Sequence, residues 1–406
     1  MTSVEVQGQV APGFEAVRTA FEQNFAARGE VGASVCVTLD GEVVADLWGG
    51  TADPKTGAAW EEDTLSVVFS ATKGATAICA HMLMDEGAFQ LSTPVAEIWP
   101  EFAAGNKQDA TVRMMLDHSA GVPVLREKLK DGGIYDWDYM CERLAAEEPF
   151  WRPGDRNGYH GLTFGWTVGE LVRRTSGRSL GTFFRERIAE PLGLDFWIGL
   201  PEELEPRVAP MIFQRHDPSK KMPPFLEVGL SDSTSIPHLF LFNSGAFLSR
   251  GCNTREGHAA ELGGAGGITN ARGLAGMYRP LAQGGTHEGV KLVGAETLAA
   301  MEQVSVATNR DATLQIPTRF SPGFMKSMDH RALGIEGVII GRRAFGHVGA
   351  GGSIGFADPE SGLSFGYTMN RMGDGLLLND RGQALVDAAY GALGGMEIAG
   401  GCWRPA

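Results

Sequence analysis

The spacing of apolar residues predicts a helix near the start of the chain and a pair of strands directly after it. From Phe14 to Phe25, apolar residues recur at three- and four-residue intervals, which places them on one face of a helix over residues 12–28. Residues 33–50 then have the pattern of two strands, and the Asp-Gly pair between them is a strong signal for a hairpin turn.

The middle of the chain is predicted to be mostly helical, and its end returns to strands. Helical patterns cover the stretches 64–87, 111–121, 162–175, 181–190 and, after a glycine-rich loop, the second part of 262–283. The pattern becomes β again from about residue 335, and a last helix is predicted over 381–395.

Strands and helices at both ends, with helices between them, predict an α+β fold. We expect an antiparallel sheet that is built from both termini and flanked by N- and C-terminal helices, with an inserted, mostly helical domain. The α/β domain is predicted at residues 1–85 plus 255–406, and the helical domain at 86–254.

Composition indicates a folded chain that does not bind nucleic acid. Of the 406 residues, 56 are glycine, about twice ordinary usage. Because 43% of the residues are hydrophobic, the chain can bury a core, which excludes a disordered or fibrous protein and assigns the glycines to turns and close backbone approaches. The net charge of −14 argues against binding to a phosphate backbone.

Neither a membrane segment nor a metal site is predicted. The first residues lack the basic and apolar segments of a signal peptide, and no run of about 20 apolar residues occurs, so we expect a cytoplasmic protein without a transmembrane helix. The five cysteines form no C-x-x-C pair, and the nine histidines form no H-x-H or H-x-x-x-H pair. We expect buried, reduced thiols, no metal and no cofactor.

A single charge inside an apolar stretch gives the first indication of chemistry. Between Asp63 and Asp85, in a segment that predicts a buried helix, the only formal charge is Lys73. A buried ammonium is costly unless it is paired or loses its proton, so the pKa of Lys73 is expected to be lowered. Ser70 lies three residues earlier on the same helix face, where an amine can activate its hydroxyl. The alternative is a lysine that reaches water from a helix end.

A proton relay and an oxyanion hole would complete such a site. Tyr159 lies in a polar, glycine-rich loop before a helix, where functional side chains are common. Trp151 and His160 are candidates for the pocket wall near it. Residues 345–356 supply a glycine-rich strand edge where a substrate can approach backbone N–H groups. For each of these features the alternative is ordinary loop or hairpin packing.

Two G-x-S-x-G segments, around Ser179 and Ser353, could instead mark the nucleophile elbow of an α/β-hydrolase. That fold places its histidine after the nucleophile, and its nucleophile directly after a strand. The last histidine is His347, so none follows Ser353, and Ser179 follows a helical stretch. We therefore set the elbow aside.

Four ordered segments resemble one known superfamily. SVVFSATKGATAICAHMLMDEGAFQLSTPVAEIWPEF resembles the S-x-x-K region of class C β-lactamases, penicillin-binding proteins and family VIII carboxylesterases. VRMMLDHSAGV is similar to their L-L-x-H-x-S-G-L turn, GYHGLTFGWTVGELVRRTSG to the esterase form of their tyrosine motif, and GHVGAGGSIGFADPESGLSFGYTMN to their K-T-G strand. The order and spacing agree over roughly residues 15–395.

The resemblance implies the β-lactamase/transpeptidase-like fold and a set of catalytic roles. Ser70 would be the nucleophile, Lys73 its hydrogen-bonded partner, and Tyr159 the general base of a Ser–Lys–Tyr network. The backbone N–H groups of Ser70 and Ala350 would form the oxyanion hole. Water would then hydrolyse an acyl-enzyme formed on Ser70.

Two departures from the family pattern favour esters as substrates. Tyr159-His160-Gly161 replaces Y-x-N, so the asparagine that contacts a lactam side-chain amide is missing. His347, which with Gly349 is predicted to bind substrate, replaces the lysine that holds a substrate carboxylate, and a histidine is mostly neutral at pH 7. We expect a carboxylesterase on short-chain, small-molecule esters. A weak β-lactamase or D-peptidase, and a non-catalytic penicillin-binding-like protein, are the alternatives.

Overall fold

The computed structural model describes residues 4–214, 216, 221–373, 375–398 and 401–404. Its helices are α1 (Glu15–Ala27), α2 (Thr72–Asp85), α3 (Val95–Ile98), α4 (Val112–Leu116), α5 (Trp137–Ala146), α6 (Phe164–Ser176), α7 (Leu180–Phe184), α8 (Pro224–Ser231), α9 (Ile236–Asn243), α10 (Arg255–Ala259), α11 (Ala271–Ala282), α12 (Ala295–Glu302) and α13 (Asp380–Ala392). Within these described ranges, no helix is both long and apolar enough to cross a membrane.

The strands are β1 (Val6–Val10), β2 (Gly32–Leu39), β3 (Glu42–Asp53), β4 (Ala58–Ala59), β5 (Ser66–Val67), β6 (Phe196–Ile198), β7 (Gly267–Thr269), β8 (Thr286–His287), β9 (Val290–Lys291), β10 (Val306–Thr308), β11 (Thr318–Ser321), β12 (Phe324–Met325), β13 (Phe345–Val348), β14 (Ile354–Asp358), β15 (Leu363–Met369), β16 (Met396–Ile398) and β17 (Cys402–Arg404). The thiols of Cys36, Cys79, Cys141 and Cys252 are buried and Cys402 is half-buried, which agrees with the expectation of mostly buried thiols.

The main sheet joins the two ends of the chain. Its strand order is β1-β3-β2-β15-β14-β13-β12-β11-β10, with β4 attached to β3 and every pairing antiparallel. The pairing of β2 with β15 connects the N-terminal strands to the C-terminal ones. This confirms the predicted α+β fold with an antiparallel sheet from both termini. The domain limits at 1–85 plus 255–406 and 86–254 stay a prediction.

The two faces of the sheet carry different side chains because neighbouring residues of a strand point to opposite faces. Phe356 of β14 stacks on Phe365 of β15 and on Tyr390 of α13. On the other face lies α11, so close that a side chain at Gly366 would come within 2.2 Å of the Ala271 carbonyl oxygen. Part of the glycine excess therefore allows a helix to pack directly on the sheet.

The sequence predicted the first hairpin and several helices correctly. β2 and β3 meet at Asp40 and Gly41, whose φ angles of +48° and +85° are both positive, as a two-residue hairpin turn of type I′ requires. The predicted helices over 12–28, 162–175 and 381–395 are present as α1, α6 and α13.

Two element predictions were partly wrong. The helix expected over 64–87 begins only at Thr72, because Ser66 and Val67 form β5, which pairs with β7. The β pattern expected from about 335 gives a strand of the main sheet only from Phe345, the start of β13. Before it, the N–H groups of Ile339, Ile340 and Gly341 bond to side chains of Gln383, Ser327 and Tyr390, which replace a neighbouring strand.

Candidate active site

Ser70 lies at the turn from β5 into α2. The N–H of Val68 donates to the carbonyl of Gly267 at 2.9 Å, which continues the β5–β7 pairing up to this turn. Phe69 then has φ of +43°, which is unusual for a bulky side chain and reverses the chain into the helix. Ser70 is half-buried and sits at the N-terminal end of α2, where the helix dipole is positive.

Lys73 is fully enclosed one helical turn further on. Its side chain is 0% exposed, and Nζ contacts Ser70 Oγ at 3.1 Å, the Gly161 carbonyl oxygen at 2.6 Å and the Gly264 carbonyl oxygen at 2.7 Å. Burial lowers the pKa of Lys73 well below its usual range. The buried helix with a single internal charge that the sequence predicted is therefore present.

The three partners of Lys73 suit an uncharged amine. Carbonyl oxygens can only accept hydrogen bonds, whereas a hydroxyl can donate or accept. A neutral amine has two N–H groups, which the carbonyls of Gly161 and Gly264 take up, and one lone pair, which is left for Ser70. Lys73 can thus accept the proton of the Ser70 hydroxyl.

Tyr159 reaches Ser70 from the loop before α6. Its side chain lies beside Ser70 and is 4% exposed, and its ring centroid lies 4.8 Å from Lys73 Nζ. Burial raises the pKa of Tyr159 above its usual value, so the resting side chain keeps its proton. The structure brings the three residues predicted to be catalytic into one cluster.

Three consecutive N–H groups fix the loop that carries Tyr159. Gly158 N–H donates to the carbonyl of His118 at 3.1 Å, and His160 N–H donates to His118 Nδ1 at 3.1 Å. Tyr159 N–H donates to the carboxylate of Asp311, at 3.0 Å from each oxygen. His118 is thus a structural turn residue, and its φ of +66° fits that role.

His160 and Trp151 also support this loop. His160 is buried; its Nδ1–H donates to the Gly158 carbonyl at 2.7 Å, and its Nε2 accepts from Val122 N–H at 3.2 Å. Trp151 donates from Nε1 to the Ser119 carbonyl at 3.1 Å, and its ring packs over Gly158. These contacts match the packing alternative, and a role of either residue in substrate binding stays a prediction.

Two backbone donors are left open where the oxyanion hole is predicted. On either side of Ala350 the N–H groups are bonded: Gly349 N–H donates to the Ser353 carbonyl at 2.7 Å, and Gly351 N–H donates to the Gly375 carbonyl at 3.2 Å. Within the ranges that the structure describes, neither Ser70 N–H nor Ala350 N–H has an acceptor. Both remain able to bind the oxygen of a substrate carbonyl.

Gly349 holds the Ala350 turn against the nucleophile's own segment. A Cβ at Gly349 would lie 2.1 Å from the Val68 carbonyl oxygen, so only glycine fits there. The same carbonyl accepts a hydrogen bond of 2.9 Å from Ser353 Oγ. The close approach predicted for a substrate is made here by the protein backbone, and a substrate contact of Gly349 stays a prediction.

The two serines of the G-x-S-x-G segments have structural partners. Ser353 Oγ donates to the Val68 carbonyl oxygen, as described above. Ser179 caps the first turn of α7 by accepting from Thr182 N–H at 3.2 Å, and its hydroxyl donates to Glu261 at 2.7 Å. Neither geometry resembles an activated nucleophile.

His347 is a neutral, buried imidazole next to Tyr159. It is 1% exposed, its ring centroid lies 5.9 Å from that of Tyr159, and Nδ1–H donates to the Val348 carbonyl at 2.8 Å. Burial, and secondarily Lys73, lower the pKa of His347 well below its usual value. Nε2 has no partner among the described residues, so it can accept a hydrogen bond but offers no positive charge.

Sequence reasoning missed three residues of this site. Gly161 and Gly264 contribute through carbonyl oxygens, which no side-chain motif reveals. Gly264 belongs to the glycine cluster at 263–267, where a side chain would come within 2.6 Å of the Leu162 carbonyl oxygen, and this cluster was the available signal. Asp311 lies in a polar turn without any recognisable pattern.

A cavity of about 820 Å³ lies beside the cluster. Its lining includes Leu314, from the turn that follows Asp311, and Met372, which packs against Gly351 beside Ala350. The cavity borders the site without including Ser70 among its lining residues.

Known proteins match this chain over nearly its whole length. The family profile described as Beta-lactamase matches residues 17–389. A protein of Mycobacterium tuberculosis (strain ATCC 25618 / H37Rv) named esterase/beta-lactamase LipL is 36% identical over 387 residues, which cover 92% of this chain and 85% of that protein.

Two solved structures share the fold. A family VIII carboxylesterase superimposes with a TM-score of 0.81 at 39% sequence identity, over 96% of this chain and 100% of that chain. A penicillin-binding protein homologue from Caulobacter crescentus superimposes with a TM-score of 0.83 at 36% identity, over the same shares of the two chains.

Proposed function

The chain belongs to the beta-lactamase family, and from that premise we propose that it is a carboxylesterase that cleaves uncharged, short-chain esters through an acyl-enzyme on Ser70. The observation that carries the proposal is the set of contacts at Lys73. An enclosed amine whose two N–H groups are taken by carbonyls directs its lone pair to the Ser70 hydroxyl. This arrangement activates a serine without a histidine or a metal ion.

Acylation begins with transfer of the Ser70 proton to Lys73 Nζ as Oγ attacks the ester carbonyl carbon. The negative charge that develops on the carbonyl oxygen is stabilised by the N–H groups of Ser70 and Ala350 and by the dipole of α2. The bond to the alcohol then breaks, and the leaving oxygen takes a proton. The products of this half-reaction are the acyl-Ser70 ester and a free alcohol.

Tyr159 is the donor of that proton in our proposal. The family resemblance implies that Tyr159 is the general base of a Ser–Lys–Tyr network, but burial raises the pKa of Tyr159 and favours its neutral hydroxyl. Tyr159 gives its proton to the leaving alcohol and recovers one from the ammonium of Lys73. Both groups are then neutral again, and Lys73 can activate the water that hydrolyses the acyl-enzyme.

The preference for uncharged esters is supported by His347. A substrate carboxylate needs a cation, and the pKa of His347 is lowered so far that its imidazole is neutral at pH 7. The segment Tyr159-His160-Gly161 also lacks the asparagine of the β-lactamase motif. The names of two similar proteins, an esterase/beta-lactamase and a family VIII carboxylesterase, agree with this direction.

The test compares p-nitrophenyl acetate, butyrate and octanoate with nitrocefin, using the wild-type protein and Ser70→Ala. We expect the shorter esters to be hydrolysed fastest, nitrocefin more slowly than the best ester, and Ser70→Ala to fall to the rate of the uncatalysed reaction. A fluorophosphonate probe should label the wild type and leave Ser70→Ala unlabelled. Wild-type activity in Ser70→Ala contradicts the site, and faster turnover of nitrocefin than of every ester contradicts the esterase assignment.

A further inference from the structure

We propose that Asp311 is a positioning residue, whose buried carboxylate fixes the main chain of Tyr159 and keeps that tyrosine in its protonated, proton-donating form. The proposal rests on the function proposed above, in which Tyr159 protonates the leaving alcohol. Asp311 contacts none of the reacting atoms, so it acts only through Tyr159.

Asp311 connects two loops that are far apart in sequence. Its Oδ1 accepts from the N–H groups of Thr313 and Leu314 at 2.8 Å, which closes its own turn. Both carboxylate oxygens lie 3.0 Å from Tyr159 N, and Oδ2 also contacts Thr318 Oγ1 at 3.4 Å. The carboxylate is therefore the point where the turn after β10 holds the tyrosine loop.

A second pair of contacts makes this connection rigid. Ala312 N–H donates to the Asn157 carbonyl at 3.1 Å, and Thr318 Oγ1 donates to Asn157 Oδ1 at 3.2 Å. Asp311 itself is 0% exposed. The tyrosine loop thus has little freedom on the side of Asp311.

The donors around Asp311 favour its ionised form. The pKa of Asp311 is raised, because burial outweighs the opposite effect of the three N–H groups and the Thr318 hydroxyl. The N–H groups of Tyr159, Thr313 and Leu314 can only donate, and a carboxylate can accept from all three of them. No lysine, arginine or histidine forms an ion pair with Asp311 among the described residues. Its negative charge is consequently held by neutral donors alone.

That charge acts on Tyr159 without an opposing cation. Lys73, His118 and His347 surround the tyrosine ring, and burial lowers the pKa of each of them, which disfavours their charged forms. The charge of Asp311 adds to burial in raising the pKa of Tyr159, and the nearby Ser70 side chain opposes both. Removal of the charge should make the tyrosine ionise at lower pH.

The experiment measures the pH profile of kcat and KM for Asp311→Asn beside Asp117→Asn. Asp117 is the control: it is also a buried carboxylate and accepts from the N–H and hydroxyl of Ser119, but its side chain pairs with Arg113 at 3.4 Å and does not contact Tyr159. For Asp311→Asn we expect kcat to fall about 10- to 10²-fold with little change in KM. The alkaline limb of the kcat profile should move down by about one pH unit. Asp117→Asn should keep the wild-type limb.

Two results would overturn the role of Asp311 while the proposed function stands. The first is an alkaline limb of the kcat profile that does not shift in Asp311→Asn, while Ser70→Ala is inactive. The second is an alkaline limb of the wild type that lies below the ordinary tyrosine value of about 10. The second needs no variant. If Asp311→Asn does not fold by circular dichroism, Asp311→Ser, which keeps an acceptor and lacks the charge, takes its place. Activity that survives in Ser70→Ala would instead remove the proposed function itself.

Discussion

Lys73 and Lys107 are both buried, and their surroundings give them opposite states. Lys73 at the start of α2 is 0% exposed and contacts two carbonyl oxygens and the hydroxyl of Ser70. Lys107, in the loop before α4, is 1% exposed and contacts three carbonyl oxygens, those of Ala104, Ala145 and Glu147. Each amine has three partners, yet only one of the two can take up a proton.

The third hydrogen-bond partner of each lysine makes the difference between them. Three carbonyls need three N–H donors, so Lys107 must be an ammonium, and the nearby Glu147 and Glu148 favour that charge. Burial lowers the pKa of Lys107 only to about 8, which leaves it mostly protonated at pH 7. No carboxylate opposes the effect of burial at Lys73, and its third partner is a hydroxyl that can donate. A buried lysine thus becomes a base where one acceptor is replaced by a donor.

The largest expected effect separates the two lysines by activity. Lys73→Met should lower kcat for p-nitrophenyl butyrate by at least about 10²-fold, because Ser70 loses its proton acceptor. Lys107→Met should stay within about twofold of the wild type, because Lys107 lies outside the catalytic cluster. Equal losses in the two variants would show that the lysines do not differ as the contacts indicate.

The pH dependence sharpens the comparison further. Lys73 must be neutral to accept a proton, so kcat/KM should fall about tenfold per pH unit as the pH drops below its lowered pKa. The acid limb should therefore lie well below the ordinary lysine value of about 10.4 and should be the same in Lys107→Met. An acid limb near the ordinary lysine value, or one that moves in Lys107→Met, would contradict this assignment.

The smallest expected effect concerns stability. Lys107→Met removes three donors from buried carbonyls, which should lower the free energy of unfolding by about 1–3 kcal/mol. Lys73→Met leaves two carbonyls without a donor but also removes a poorly solvated amine, so its loss should be smaller. Urea unfolding of both variants measures this difference. A larger loss of unfolding free energy in Lys73→Met than in Lys107→Met would contradict this expectation, because it would show that the contacts of Lys73 serve mainly stability.

Local patterns predicted much of the fold because they depend on neighbouring residues. Asp40 and Gly41 both adopt the positive φ values that their hairpin turn needs. The apolar spacing of α1 and α6 was sufficient to find these helices. The segment 337–344 shows where this reasoning fails. Its apolar residues have a β pattern, but the N–H groups of Ile339, Ile340 and Gly341 bond to side chains from elsewhere in the chain, and no local pattern contains that information.

The candidate site shows the same difference between what local sequence patterns reveal and what contacts between distant residues decide. The sequence by itself indicated that Ser70 and Lys73 lie close together in an otherwise uncharged segment, because a three-residue spacing is short-range geometry that holds even though Ser70 lies in the turn just before α2. Only the tertiary structure decided what state the lysine has and what holds the tyrosine. Gly161 and Gly264 reach Lys73 from 88 and 191 residues away, and Asp311 reaches Tyr159 from 152 residues away. The two glycines act through carbonyl oxygens, which every residue has, so their role follows from position in space and no side-chain motif reveals it.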